Sequence, residues 1–352
     1  MALALNNPED SARLWLGHVQ SLLEGRLAGL LELPDEQGLD PRWSEALVHA
    51  REYALRPAKR LRPALVAIGH GLATGHAEVP DELWTFAAAF EILHTFLLIH
   101  DDVADRADRR RGRAALHRLL AEGRLGEDLA IVVGDHLFAR AIEAMLSTGL
   151  PGSARAVRHY LGICRHTAAG QYLDLDLTRA PLSEVTLFQT LRVAVLKTAR
   201  YGFVAPLVCG AMLGGAARGL LEALDRAGRQ IGLAYQLRDD LLGLFGDAQV
   251  AGKSTDGDFV QGKRTFPVVA AYTRAPAAIR AEMDALWADP TGPVALARAR
   301  TLVAAHGGVA ATERVIERCT RSARRGLASL PHGGGFRDLL DSLVLTLSHR
   351  RC

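Results

Sequence analysis

Apolar residues return every three or four positions along almost the whole chain, and this spacing restricts the fold more than any other feature. It predicts helices over 44–55, 63–72, 82–103, 129–147, 154–177, 183–213, 220–244 and 267–272. Several of these are apolar around most of their circumference, which is the mark of helices inside a bundle rather than on its rim. Glycine and proline clusters near 69–75, 149–152, 214–215, 246–262 and 331–335 punctuate the pattern. Strand signals are almost absent. The Ala/Arg-rich stretch 276–308 reads as further surface helices and carries no functional signal. No short repeat and no long linker divides the chain. The sequence therefore implies an all-α fold built as one domain over residues 1–352.

Bulk numbers narrow the function by exclusion. With 49% hydrophobic residues the chain has ample material for a large core. A net charge of +3, from 42 basic against 39 acidic residues, gives no footprint for nucleic acid. Cys164, Cys209, Cys319 and Cys352 lie far apart without metal-ligand spacing, as free thiols in a reducing compartment would. The first 16 residues carry Glu9 and Asp10 and lack the basic start and apolar run of a signal peptide. No uninterrupted apolar run reaches the length of about 20 residues that spans a membrane. These features together imply a cytoplasmic protein with no membrane span.

The charges that matter are local. The segment Leu98-Ile99-His100-Asp101-Asp102-Val103-Ala104-Asp105 runs an apolar helix straight into three carboxylates. Asp101 and Asp105 are four apart and share a helix face. Carboxylates so close repel one another and call for a hard cation such as magnesium, which keeps waters and shares its other positions with phosphates. A solvated acidic helix end would look the same in isolation. The next residues, Asp108-Arg109-Arg110-Arg111-Gly112-Arg113, set a dense basic patch beside it, an arrangement suited to holding phosphate between metal and guanidinium.

A comparable segment returns 138 positions later (239 − 101): Tyr235-Gln236-Leu237-Arg238-Asp239-Asp240-Leu241-Leu242-Gly243. Gln236 and Asp240 share a face. The position four after Asp239 is Gly243, so a third carboxylate is missing there. Asp247 is seven after Asp240 and would face the same way only if the helix passed Gly246. Acidic clusters on two separate helices can jointly build a metal site in a helical bundle.

With these motifs quoted, the chain resembles the trans-isoprenyl diphosphate synthases, the polyprenyl synthetase family, from about residue 55 to 269. The family's motifs occur here in order. The resemblance implies the isoprenoid synthase fold, a helical bundle around a deep apolar cavity. It also implies an enzyme that joins isopentenyl diphosphate to an allylic diphosphate with two or three magnesium ions, working as a homodimer. Lys59-Arg60-Leu61-Arg62-Pro63 matches the basic motif in which Lys59 and Arg62 grip isopentenyl diphosphate; Pro57-Ala58 replaces the usual glycine pair. His94, seven before Asp101, matches a further isopentenyl ligand. Asp101, Asp102 and Asp105 match the first aspartate-rich motif and its metal ligands. Arg110 matches the allylic and Arg111 the isopentenyl diphosphate contact.

Gly170-Gln171 with Asp174 matches an element near the allylic site, and Lys197-Thr198 a pair whose lysine contacts the allylic diphosphate. Gln236, Asp239 and Asp240 match the second aspartate-rich motif, with Asp239 as a metal ligand. Lys253 and Lys263 match the basic loop that closes over the leaving diphosphate. Leu93, Phe96 and Leu97 stand on the stretch that sets product length in the family. A bulky Phe96, five before Asp101, implies short products, farnesyl or geranylgeranyl diphosphate, with the C20 product favoured.

Two other readings share these residues. A terpene cyclase on the same scaffold would need the acidic cluster and magnesium but no isopentenyl site, so Lys59, Arg62, His94 and Arg111 argue against it. A non-catalytic subunit of a heteromeric synthase typically lacks aspartates of the first motif. Here those are intact, while Gly243 weakens the second.

Overall fold

Helices form where the apolar spacing places them, and the ends are set by local chemistry. The structure, a computed structural model, describes residues 8–32, 38–246 and 257–348. In chain order the helices are α1 (Pro8–Leu30), α2 (Pro41–Leu55), α3 (Leu61–Thr74), α4 (Asp81–Ala104), α5 (Leu116–Leu120) and α6 (Gly123–Leu146). Next come α7 (Ser153–Leu177), α8 (Leu187–Val193), a π-helical segment (Ala194–Val204), α9 (Ala205–Leu213) and α10 (Arg218–Phe245). The rest are α11 (Gly257–Val260), α12 (Phe266–Tyr272), α13 (Ala277–Ala288), α14 (Gly292–Ala305), α15 (Gly308–Ala328) and α16 (Phe336–Ser348). The sole β structure among the described residues is the hairpin of β1 (Arg109–Arg110) and β2 (Arg113–Ala114).

The chain falls into two compact units. One comprises the described residues of Met1–His159, Pro206–Leu221 and Pro331–Leu340; the other those of Tyr160–Ala205, Glu222–Leu330 and Asp341–Cys352. In the first, α4 packs along α6 and against α1 and α3. Its core holds Phe86, Phe90, Leu83 and Ile92 from α4, with Trp15 of α1 set between Trp84 and Phe336. In the second, α12 is apolar on every side because α14, α15 and α8 surround it.

Helix α4 spans Asp81–Ala104 against an expected 82–103, because Asp81 and Glu82 favour the start of a helix and its dipole. The expected single helix 183–213 is divided. Thr186 caps α8 with a reciprocal bond to Gln189, so the chain restarts there. Two long helices, α1 and α15, lie outside the stretches where the spacing had signalled helix. Asp81–Ala104 and Leu187–Leu213 are long and apolar enough to cross a membrane by length and composition, although Glu91 and Lys197 interrupt their apolar runs. In each, 67% of the apolar window is buried within the protein, as in core helices.

Candidate active site

In the first unit the site grows from the C-terminal end of α4. Asp102 points inward and is fully buried. Tyr53 of α2 donates to its Oδ2 at 2.6 Å, and Arg110 Nε donates to its Oδ1 at 2.7 Å, with Arg110 Nη2 on the same oxygen. Burial pushes the Asp102 carboxyl up, and Arg110 and Tyr53 oppose that shift. Both oxygens of Asp102 are thus engaged by protein. Asp101 stands beside it, a quarter exposed, with Oδ2 3.7 Å from Arg110. Asp105 ends the helix and is half-buried.

The hairpin sets the two arginines apart. Arg111 and Gly112 form its two-residue turn with φ of 53° and 76°, the left-handed pair that a type I′ turn requires. An arginine in that conformation is uncommon and costs backbone energy, of the kind found at binding sites. Arg56 holds the hairpin in place. Its buried guanidinium donates to the carbonyls of Arg110 (3.1 Å) and Ala114 (2.9 Å), pairs with Glu52 at 2.8 Å and lies over the Tyr53 ring. Arg111 Nη1 in turn donates to the Arg56 carbonyl at 3.2 Å.

The segment before α3 is braced the same way. Arg60 is buried and left-handed at φ 47°, pairs with buried Glu91 of α4 at 3.0 Å, and donates to the carbonyls of Ala54 and Arg56. Lys59 is left exposed and Arg62 half-buried on either side. His94 lies between these elements. Burial, and then the charges of Arg62, Arg111, Arg110 and Arg60, hold its imidazole well below the ordinary histidine range. His94 is thus kept neutral in a surrounding of positive charge, a setting that suits a polyanion.

On the same helix Phe96 packs edge-on to His100 (4.7 Å between ring centroids) and against Phe138 of α6 (5.2 Å). Leu93 is buried and Leu97 half-buried.

In the second unit the site is built on close helix approaches. A Cβ on Gly170 of α7 would overlap the Lys197 backbone, so only glycine lets the two segments meet. One turn on, Asp174 accepts from Lys197 Nζ at 2.7 Å. Gly228, Gly232 and Gln236 recur every four residues along α10 and face Val204, Ala199 and Thr198 in turn. Thr198 Oγ1 donates to Gln236 Oε1 at 2.6 Å, and Gln236 Nε2 donates to Asp240 Oδ1 at 2.7 Å. Asp240 is buried; burial pushes its carboxyl up to about 8, Gln236 opposes, and Asp258, Asp174 and Asp239 add to the rise. Asp174, Lys197, Thr198, Gln236, Asp240 and Lys263 line one polar cleft. Asp239 and Gln171 are half-buried. Lys253 and Asp247 lie outside the described residues.

The Polyprenyl synthetase family model matches residues 44–299. The chain belongs to the polyprenyl synthetase family. The short chain isoprenyl diphosphate synthase of Methanothermobacter thermautotrophicus is 35% identical over 236 residues, covering 66% of this chain and 68% of that one. The geranylgeranyl diphosphate synthase of Mycobacterium tuberculosis is 36% identical over 273 residues, covering 76% and 73%. A crystal structure of geranylgeranyl pyrophosphate synthase from Corynebacterium glutamicum, complexed with isoprenyl diphosphate and magnesium, superposes with a TM-score of 0.86 at 30% identity. It covers 95% of this chain and 99% of that one.

As a polyprenyl synthetase the chain has the all-α fold of these synthases and is a prenyltransferase that elongates a prenyl diphosphate. Sequence reasoning missed the residues that brace the acidic and basic motifs: Tyr53, Arg56, Arg60 and Glu91. Tyr53 and Arg56 lie three apart on one face just before the basic motif, the one signal that could have found them.

Among the described residues no three His, Cys, Asp or Glu side chains stand close enough to hold a metal ion by themselves. The donors fit magnesium nonetheless. They are carboxylate oxygens, the hard ligands magnesium prefers, partly exposed at Asp101 and Asp105 in the first unit and at Asp239 in the second.

Proposed function

We propose that this polyprenyl synthetase condenses isopentenyl diphosphate with dimethylallyl, geranyl or farnesyl diphosphate and releases a C20 all-trans product. The observation that carries the reading is the Arg110–Arg111 hairpin fixed through Arg56 against the start of the basic motif, which sets two groups of cations side by side. A terpene cyclase has no second diphosphate to place there. The relatives named for geranylgeranyl products, and Phe96 packed between His100 and Phe138, support the chain length.

In the reaction, the allylic carbon–oxygen bond breaks and the electron pair leaves with diphosphate. The isopentenyl double bond then attacks the allylic carbon, and a proton passes to the departing diphosphate as the new double bond forms. Asp101 and Asp105 in the first unit and Asp239 in the second would hold magnesium, two or three ions in all, which would neutralise the diphosphate charge. Lys197 and Lys263 place ammonium groups at the cleft, where they stabilise the charge of the leaving group. Lys59, Arg62, Arg111 and His94 hold isopentenyl diphosphate. Asp102 acts as an anchor: bound by Tyr53, it fixes Arg110 beside Asp101. The apolar α4 excludes water that would quench the cation.

Purified protein with magnesium, isopentenyl diphosphate and each allylic diphosphate in turn tests the reading by product chromatography. Elongation to C20 supports it. A cyclic hydrocarbon shows a cyclase, and no turnover a non-catalytic subunit.

We further infer a homodimer in a reducing, cytoplasmic setting, with both units acting as one domain. The family model runs unbroken through stretches of both units. Cys164, Cys209 and Cys319 are free thiols. Leu125, Leu129 and Val132 form an exposed stripe on α6 at 61%, 40% and 57% exposure, spaced four and three apart as on one helix face. Val132→Glu is expected to halve the mass measured by light scattering. An unchanged mass removes this face as the interface.

A further inference from the structure

Gly243 is where the second aspartate motif departs from the family, and the structure shows what occupies that place. A Cβ built on Gly243 would overlap Oδ2 of Asp258 and stand 3.1 Å from its Cγ. The space a side chain at 243 would fill therefore already holds a carboxylate, brought in from 15 residues further on (258 − 243). Gly243 lies on the same turn of α10 as Asp239 and Asp240, and Asp258 lines the same cleft as Asp240, Lys197 and Lys263.

We infer that Asp258 supplies the third carboxylate of the second aspartate motif, acting toward magnesium and diphosphate in place of the side chain that Gly243 lacks. The inference rests on the proposed reaction and deepens its second motif.

The carboxylate is held, not loosely apposed. The next residue, Phe259, is buried, shares a core cluster with Leu244 of α10, and meets Trp287 edge-on at 5.2 Å. The cluster joins α11 to α10 at Leu244, immediately beside Gly243. On the other side, Lys263 N donates to the Asp258 carbonyl at 2.9 Å and Gly262 N to that of Phe259 at 2.8 Å. Trp287 Nε1 donates to the Lys263 carbonyl at 3.3 Å. The backbone loop from 258 to 263 is thereby closed. Lys263 Nζ lies 3.6 Å from Asp258 Oδ1, so the cation expected over the leaving diphosphate sits beside this carboxylate. The side chain of Asp258 remains about a quarter exposed, which leaves it open to water and a hydrated ion.

The arrangement makes a reciprocal demand. With Asp258 present, position 243 cannot carry a side chain without displacing the carboxylate. With Asp258 removed, an aspartate at 243 gains the space and can supply the oxygen itself.

The experiment compares four full-length proteins: wild type, Asp258→Asn, Gly243→Asp, and Gly243→Asp combined with Asp258→Gly. Manganese(II) binding in the presence of inorganic pyrophosphate is followed by the loss of the free manganese paramagnetic resonance signal. Circular dichroism checks the fold, and elongation is assayed alongside. Asp258→Asn keeps shape and is expected to weaken manganese binding about 10–100-fold, the range for partners of a metal site. Gly243→Asp alone is expected to do likewise. The double variant is expected to recover to within about threefold of wild type, a rescue that a merely structural role for Asp258 does not give.

Wild-type affinity in Asp258→Asn, or a double variant no better than the single ones, overturns the inference while wild-type elongation leaves the proposed reaction standing. A wild-type protein that neither elongates nor binds manganese with pyrophosphate overturns both.

Discussion

Asp101 and Asp102 are neighbours in sequence with opposite surroundings, and exchanging each for alanine separates their roles. Asp102 is fully buried and opposes Arg110, itself largely buried. Asp102→Ala leaves that guanidinium without its counter-charge and the Tyr53 hydroxyl without its acceptor. Removing one partner of a buried pair costs about 3–5 kcal/mol. With a urea slope of about 3 kcal/mol/M, the unfolding midpoint followed by far-UV circular dichroism falls by about 1–1.7 M. Asp101 is a quarter exposed and 3.7 Å from its nearest guanidinium. Its alanine variant is expected to unfold within about 0.5 kcal/mol of wild type, as surface changes do. It loses elongation instead, by about 10²–10³ in kcat on the analogy of a lost oxyanion donor. Tyr53→Phe removes one 2.6 Å bond to the buried carboxylate and is expected to cost about 1.5–3 kcal/mol. A midpoint for Asp102→Ala as high as that for Asp101→Ala would refute the anchoring role.

Further outcomes follow from the same geometry. His94 has its folded pKa below the unfolded value of about 6.5, so below pH 6.5 the unfolded chain binds a proton that the folded one refuses. Stability is lost as pH falls, by about 1.4 kcal/mol at pH 5.5 relative to His94→Gln, and parallel pH–stability curves for the two proteins would contradict this. Arg60→Met strands buried Glu91 and is expected to cost about 3–5 kcal/mol while raising KM for isopentenyl diphosphate more than for the allylic substrate. Adding Glu91→Leu restores the stability but not the KM; equal KM changes for both substrates would count against a positioning role. Phe96→Ala is expected to lengthen the product by at least one isoprene unit, and unchanged product length rejects Phe96 as the floor.

Much of this was readable from residue order. The apolar run into Asp101 placed α4 to within one residue at each end, because helix spacing and acidic starts are local properties. The interruption at Thr186 was also written locally, in a Thr-x-x-Gln box, but strong periodicity on both sides masked it. Helix α15 escaped because charged residues crowd around its buried stripe of Ile316, Cys319, Ala323 and Leu327 and hide a regular apolar spacing. The site divided along similar lines. Charge clusters announced Arg110 and Asp101, but three adjacent-looking carboxylates gave no hint that Asp102 turns inward to Tyr53. That depends on a residue 49 positions away (102 − 53). Asp258 was invisible for the same reason. Nothing local to Gly243 says that a carboxylate returns to it from beyond a stretch of glycines.

The wide-turned segment Ala194–Val204 has a consequence for how such a cleft can be gained or lost. Wide turns of this kind mostly arise as bulges inside ordinary helices, so a single in-frame codon more or less changes the winding. Lys197 and Thr198 are consecutive, yet they reach different helices, α7 through Asp174 and α10 through Gln236. Dropping one residue upstream of them would tighten the coil and swing both side chains off their partners together. The protein would keep every charged residue of the family signature and still forfeit the cleft, a lesion that inspection of motifs alone would pass as intact.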